Sequence, residues 1–176
     1  MADVQAFRFE DDGETPNNPR LPLVVYCAAV NLAGEHDPGA PFERTFAKHG
    51  WRDGWRNGIY PFLHFHTATH EVLGIARGRA TVEFGGARGQ ALTVEAGDVV
   101  VLPAGTGHRC IEASGDLLVV GAYPRNASFD QKRPGQIDHK KAVSDRPGAA
   151  AGDGPGPWPR GAAHDVVEGR PQVNPR

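Results

Sequence analysis

Between Gly58 and Pro124 the chain is written as short β-rich runs separated by glycine: YPFLHFH, HEVLGIA, ATVEF, ALTV, DVVVLP, HRCIE and DLLVVGAY. The separators are Gly78, Gly85-Gly86, Gly89, Gly97, Ala104-Gly105-Thr106-Gly107 and Ser114-Gly115-Asp116. Seven such runs at this spacing, with no helical period between them, predict an antiparallel sandwich or barrel. No internal repeat is found, which excludes a duplicated two-barrel chain.

The flanking segments read differently. Residues 1–20 form an N-terminal arm. Leu21 to Leu32 (LPLVVYCAAVNL) is a near-continuous apolar run and predicts a buried strand. Asp37 to His49 predicts a short helix. Pro41 suits its first turn, Phe42 and Phe46 share one face, and Gly50 follows Lys48 and His49 as a stop. Trp51 and Trp55 lie in GWRDGWRNG, read as a Gly-rich loop that caps the barrel mouth, makes a dimer contact or fills the core. From Arg125 onward large apolar residues are sparse, and Arg146 to Gly161 reads RPGAAAGDGPGPWPRG. Residues 125–176 are expected to be an irregular C-terminal tail, extended, disordered or laid on a partner, with Trp158 as a candidate anchor.

A length of 176 residues suits one domain with appendages, here a barrel over residues 21–124. The formal net charge of −2 argues against a nucleic-acid partner. No apolar run approaches the roughly 20 residues that cross a bilayer, so no membrane partner is expected. The start, MADVQAFRFEDDGE, lacks an apolar export region. Cys27 and Cys110 are therefore read as reduced thiols in a cytoplasmic protein.

Four of the eight histidines fall in the β region: His64, His66, His70 and His108. On a strand, His64 and His66 point the same way, with Tyr60 and Phe62 on their face if the strand is regular. Two imidazoles projecting together start a transition-metal site, although two polar surface residues read the same way. The wider spacing separates these readings. Gly58 is followed by five residues, then His64-Phe65-His66, four more, Glu71, six more, and Gly78. Gly97 is followed by five residues, then Pro103-Ala104-Gly105, two more, and His108. This resembles the two sequence motifs of the cupin superfamily, with Glu112 standing where the second motif ends in asparagine.

The resemblance implies an all-β double-stranded β-helix, the cupin jelly-roll barrel, with a metal inside it. It implies His64, His66, Glu71 and His108 as ligands, with His70 as the alternative to Glu71. The implied cofactor is a divalent transition metal: Fe, Mn, Ni, Co or Zn. Three imidazoles and one carboxylate leave two of six octahedral positions open. A narrower resemblance, to the YjlB-like cupins, rests on NNPRLPLVVY, GWRDGWRNGIYPF, THEVLGIARG, FGG, GDVVVLPAGTGH and VVGAYP. It implies one chain architecture and no particular reaction.

Glu112 and Cys110 share the face of His108 if that strand is regular. Glu112 is then a candidate general base in the cavity, or a carboxylate in water past the rim. Cys110 reads as a small buried apolar residue. Tyr60 is the second catalytic candidate; Phe62 and Tyr123 line the pocket or fill the barrel. The expected function is a metal-dependent enzyme on a small-molecule substrate, first of all a dioxygenase or other oxidoreductase. The alternatives are a metal-dependent isomerase or lyase, and a non-catalytic metal- and ligand-binding sensor or interaction module. A metal-free sugar-nucleotide isomerase-like barrel fits less well, because the ligand set is complete. A homodimer is expected if the strand around Leu23 to Val30 is exchanged at a sheet edge.

Overall fold

A computed structural model describes residues 3–125 and 127–146. The alternating runs form antiparallel strands in two sheets. In chain order the elements are β1 (Asp3–Phe7), β2 (Leu23–Cys27), α1 (Ala40–Lys48), β3 (Trp51–Asn57), β4 (Glu71–Arg77), β5 (Arg79–Phe84), β6 (Gln90–Glu95), β7 (Val99–Leu102), β8 (His108–Ala113), β9 (Leu118–Pro124) and α2 (His139–Ser144). The larger sheet has the order β1-β2-β7-β4-β9-β3 and the smaller one β6-β5-β8. Together they make the jelly-roll barrel, and strand order departs from chain order as this roll requires.

Strand β4 shows why the larger sheet is covered on both faces. Leu73 and Ile75 point into the barrel, where they join Val82, Phe84 and Val94 of the smaller sheet. Val72 and Ala76 point outward and pack under Phe42 and Phe46 of α1, with Trp51, Val99 and Val120. Between them Gly74 faces Phe42 so closely that a β-carbon there would overlap the ring. Helix α1 thus sits where the expected helix lies, with Gly50 at φ +85 stopping it.

Several segments differ from the sequence reading for local reasons. β2 stops at Cys27 because Ala28 turns to φ +48 and donates its N–H to Asp98 at 2.8 Å. GWRDGWRNG is not a loop but β3. A register break between Arg52 and Trp55, with Asp53 at φ +53, hides its alternation. YPFLHFH is not a continuous strand; its two bridges, His64 with His108 and Phe65 with Lys132, are isolated ones. The N-terminal arm supplies β1, and its Thr15 and Asn17 are buried.

The apolar elements invoked for a dimer contact are covered within the chain. β2 lies between β1 and β7, and Trp51 is buried beneath α1. The start of the C-terminal segment lies on its own barrel. Lys132 bridges Phe65, and α2, capped by Asp138, buries Ala142. Trp158 and the Gly/Pro-rich stretch past Arg146 lie outside the described residues. Among the described residues no helix is long and apolar enough to cross a membrane.

Replacing Gly74 with valine forces a branched side chain into the Phe42 contact. The expected loss is about 1–3 kcal/mol, read as a lower urea midpoint at unchanged m-value. Gly115→Ala, where a β-carbon meets nothing within 4 Å, is expected to stay within about 0.5 kcal/mol of wild type.

Candidate metal centre

The site is assembled by backbone pairing between distant segments. His64 and His108 exchange both main-chain hydrogen bonds, N–H to O at 3.2 and 2.9 Å, and the Cys110 N–H donates to the Tyr60 carbonyl at 2.8 Å. Residues 60–64 therefore run against β8. Between the two histidines of the HFH triplet, Phe65 is buried and pairs with Lys132 in both directions, at 3.0 and 2.9 Å. Glu71 opens β4 and points inward like Leu73. His64, His66, Glu71 and His108 are all buried. One ring nitrogen from each of the three imidazoles lies within 4.8 Å of the other two. The Glu71 Oε2 is 3.4 Å from His66 Nε2 and 3.3 Å from His108 Nε2.

Ring orientation follows from what each Nδ1 faces. His64 Nδ1 lies 3.1 Å from the Phe62 carbonyl and His108 Nδ1 3.3 Å from the Thr106 carbonyl, while His66 Nδ1 meets the Asp130 carbonyl. A carbonyl only accepts, so each Nδ1 carries the proton. Each neutral ring then presents its Nε2 lone pair to the cavity. Among the described residues His66 Nε2 and Glu71 Oε2 are buried without a hydrogen-bond partner. Donors at about 2.1 Å from one ion stand about 3.0 Å apart when adjacent, so the 3.3 and 3.4 Å separations close with shifts of a few tenths of an ångström. This donor set fits a divalent transition metal.

The metal-free electrostatics are those of one carboxylate set among imidazoles. Burial alone would raise the Glu71 pKa, but the His108 and His66 rings beside it, once either takes up a proton on Nε2, hold it well below the usual carboxylate range. Burial opposes a charge on His66 as well, yet the Glu71 carboxylate beside it raises its pKa. His64 is lowered to about 3, first by burial and then by charge on His108.

The structure brings Glu71, not His70, to the imidazoles. His70 faces the other side of the strand start, where its Nδ1 accepts the Ala104 N–H at 2.9 Å. Glu112 is not in the cavity. Cys110 pairs with Val82 but Glu112 pairs with Thr81, so Ile111 is an extra residue. That bulge turns Glu112 to the exposed outer face and ends its alignment with His108. Cys110 packs partly against the barrel core. Tyr60 stands at the cavity mouth, stacked on Phe62 at 4.8 Å and edge-on to His64 at 5.4 Å. The cavity, about 460 Å³, runs from the donor set out between Trp55, Ile59, Tyr60, Tyr123 and Phe129.

Sequence reasoning left Phe129 and Asp130 without a role here, and offered capping of the barrel mouth as one of three readings for Trp55, which lines the cavity. The Trp55 indole fits over Gly121 and donates to the Tyr123 hydroxyl at 3.1 Å. Burial and the adjoining Glu71 carboxylate push the Tyr123 phenol well above its usual range, so it keeps its proton. Asp130 clamps the ligand-bearing segment. Its carboxylate accepts from the Thr67 N–H at 3.1 Å, the Thr67 hydroxyl at 2.7 Å and the Ala68 N–H at 2.9 Å. No sequence signal marks it, because its partners are 62 to 64 residues away.

Two outcomes follow from this geometry. Asp130→Ala releases the clamp beside His66 and is expected to weaken metal binding about 10–100-fold, read by competition with a chelating dye; Asp130→Asn keeps an acceptor and loses less. A histidine whose folded pKa lies below the ordinary 6.5 adds stability that is full above 6.5 and is lost as pH falls through the folded value, here about 3. The metal-free protein should therefore melt at progressively lower temperature below pH 6.5. His64→Gln should flatten that slope in calorimetry, leaving the part due to His70, which burial also depresses.

No family profile matches the chain. It is 40% identical over 141 residues to the uncharacterised protein YjlB of Bacillus subtilis, covering 80% of this chain and 82% of that one. Among solved structures it is similar to an 11S globulin from Wrightia tinctoria, with 14% identity, a TM-score of 0.36, and coverage of 53% of this chain and 29% of that one. It is also similar to a single-site mutant of Bacillus subtilis oxalate decarboxylase, with 20% identity, a TM-score of 0.35, and coverage of 64% and 22%. The chain spans about a quarter of the length of those two solved chains. The histidine and glycine spacing, the jelly roll and the extended match to YjlB agree: the chain is a cupin and belongs to the YjlB family.

Proposed function

We propose that the protein is a metal-dependent enzyme that oxidises a small oxygen-bearing molecule, a dioxygenase in reaction class. One observation carries the reading: three buried imidazoles, each with Nδ1 bonded to a carbonyl, bring ring nitrogens within 4.8 Å of one another, and the Glu71 carboxylate lies beside those of His66 and His108. A closed structural site would bury its donors away from any cavity, whereas here they end a cavity open to the surface. A bound Fe, Mn, Ni, Co or Zn ion would supply Lewis acidity, and Fe or Mn a redox couple as well.

The chain's own residues do the rest. The largely apolar wall around the donor set lowers the local polarity and strengthens charge interactions there. The Trp55 indole fixes the Tyr123 hydroxyl, leaving the phenolic proton directed at Glu71 or at an oxygen bound beside it. Tyr123 is thus placed to orient Glu71 and to donate a hydrogen bond to substrate.

Elemental analysis of the full chain should find divalent metal near one per chain, and His66→Ala should lose most of it. Oxygen uptake with a panel of catechols, flavonols and diketones should require that metal. Uptake unchanged after chelation would overturn the reading.

A further inference from the structure

The cavity has one cationic side chain among its described lining residues, Arg56, and it is already engaged. Its Nε and one Nη hold Glu43 at 2.7 and 2.8 Å, and both Nη atoms hold Asp37 at 2.9 Å. Four hydrogen bonds occupy four of the five N–H donors of a guanidinium. The site for this clamp is built into the fold. The guanidinium lies against Gly39, where a β-carbon would come within 2.7 Å of its central carbon. The other charged lining groups, apart from the imidazoles, are the carboxylates Asp53 and Glu71. Among the described lining residues no positive side chain is left for a phosphate or a second carboxylate.

The remaining wall is mostly aromatic and aliphatic, with two uncharged amides, Asn57 and Gln131. The described residues expose three large hydrophobic side chains, Tyr60 at 46%, Ile111 at 55% and Phe129 at 57%. Two of the three line this one cavity. Phe129 packs on His66 at 5.4 Å and on Tyr123 at 5.1 Å, and Tyr60 stacks on Phe62. Exposed apolar surface gathered around a polar, buried donor set marks a ligand site.

We propose that this cavity selects an uncharged aromatic molecule that reaches the donor set through one or two oxygens, and that the Asp37–Arg56–Glu43 clamp enforces this choice by keeping Arg56 from serving as an anion site. This rests on the metal reading above and names its substrate class. Phe129 and Tyr60 supply the faces on which the ring packs. Asp37 and Glu43 act on specificity through Arg56, without touching the ligand.

The test is calorimetry on the nickel-loaded full chain at neutral pH without oxygen, comparing catechol, which is uncharged there, with oxalate, a dianion. Oxalate binds free nickel better than protonated catechol does, so a reversal reports the cavity walls. Wild type should bind catechol at least tenfold more tightly than oxalate. Phe129→Ala should weaken catechol at least fivefold more than it weakens oxalate, with bound nickel measured in the same sample so that any loss of metal is separated from loss of ligand. The double variant Asp37→Asn, Glu43→Gln should tighten oxalate at least tenfold with catechol within twofold. If that variant fails to fold, Arg56→Ala decides: unchanged oxalate binding supports the proposal, and a tenfold loss overturns it, because Arg56 would then be an anion site. Oxalate bound as tightly as catechol by nickel-loaded wild type sinks this inference alone. A wild-type chain that takes up no nickel sinks the metal reading beneath it.

Discussion

Glu71 is a buried carboxylate at the head of a strand whose next inward residues are leucine and isoleucine. A buried charge of this kind destabilises a fold unless something opposite meets it. What meets it is the pair His66 and His108, with His64 beside them, brought in by segments more than forty residues apart in the chain. Each imidazole is neutral in the tautomer that its carbonyl partner dictates, so each offers a lone pair to the same place. Lone pairs and a carboxylate repel one another. The arrangement is at rest only with positive charge at its centre, whether a shared proton on His66 or a metal ion. Metal binding and barrel stability are therefore coupled, since an ion held only by the folded state stabilises it by mass action.

The barrel alone does not hold this centre. Residues 60–68, which carry two of the imidazoles, form no regular strand and borrow their order from both sides. On one side they pair with β8. On the other they lean on residues after β9: Asp130 takes the N–H groups of Thr67 and Ala68, and Lys132 pairs with Phe65. Arg133 stacks on Phe62 at 3.5 Å and completes the contact. A segment that reads as a tail by composition thus acts as a strap across the mouth of the cavity. Its Phe129 belongs to the cavity wall, so the strap shapes the ligand space as well as the ligand set.

What was legible in the sequence is what is local. The spacing of His64, His66, Glu71 and His108 is set by one strand start and two turns, and glycine spacing reports turns directly. Hence that spacing could be matched to the cupin motifs, and the resemblance implied the jelly roll and the donors together, with Glu71 and His70 as alternatives for the fourth. The i, i+4 pair Phe42 and Phe46 likewise fixed α1. What was not legible depends on register or on remote partners. Glu112 reads as sharing the face of His108 only when alternation is counted straight through Ile111, and a one-residue bulge reverses every side chain beyond it. The Trp-bearing strand β3 hid behind its own register break. Asp130 gave no signal, since nothing near it in the chain tells that it folds back on residue 67.

The same distinction grades the three imidazoles. For His64 and His108 the orienting carbonyl comes from two residues earlier in the chain, Phe62 and Thr106. Those rings are set by their own turns and keep their tautomer wherever the turn forms. The carbonyl that orients His66 comes from 64 residues away, on the strap. His66 also packs against Phe129 and faces an unpartnered Glu71 oxygen. Its alignment therefore depends on the docking of a separate segment, and a ligand that displaces Phe129 acts on the ring that Phe129 covers. Occupancy of the cavity and geometry of the donor set meet at one residue, which gives this small barrel a direct physical route from what fills its mouth to how its floor is arranged.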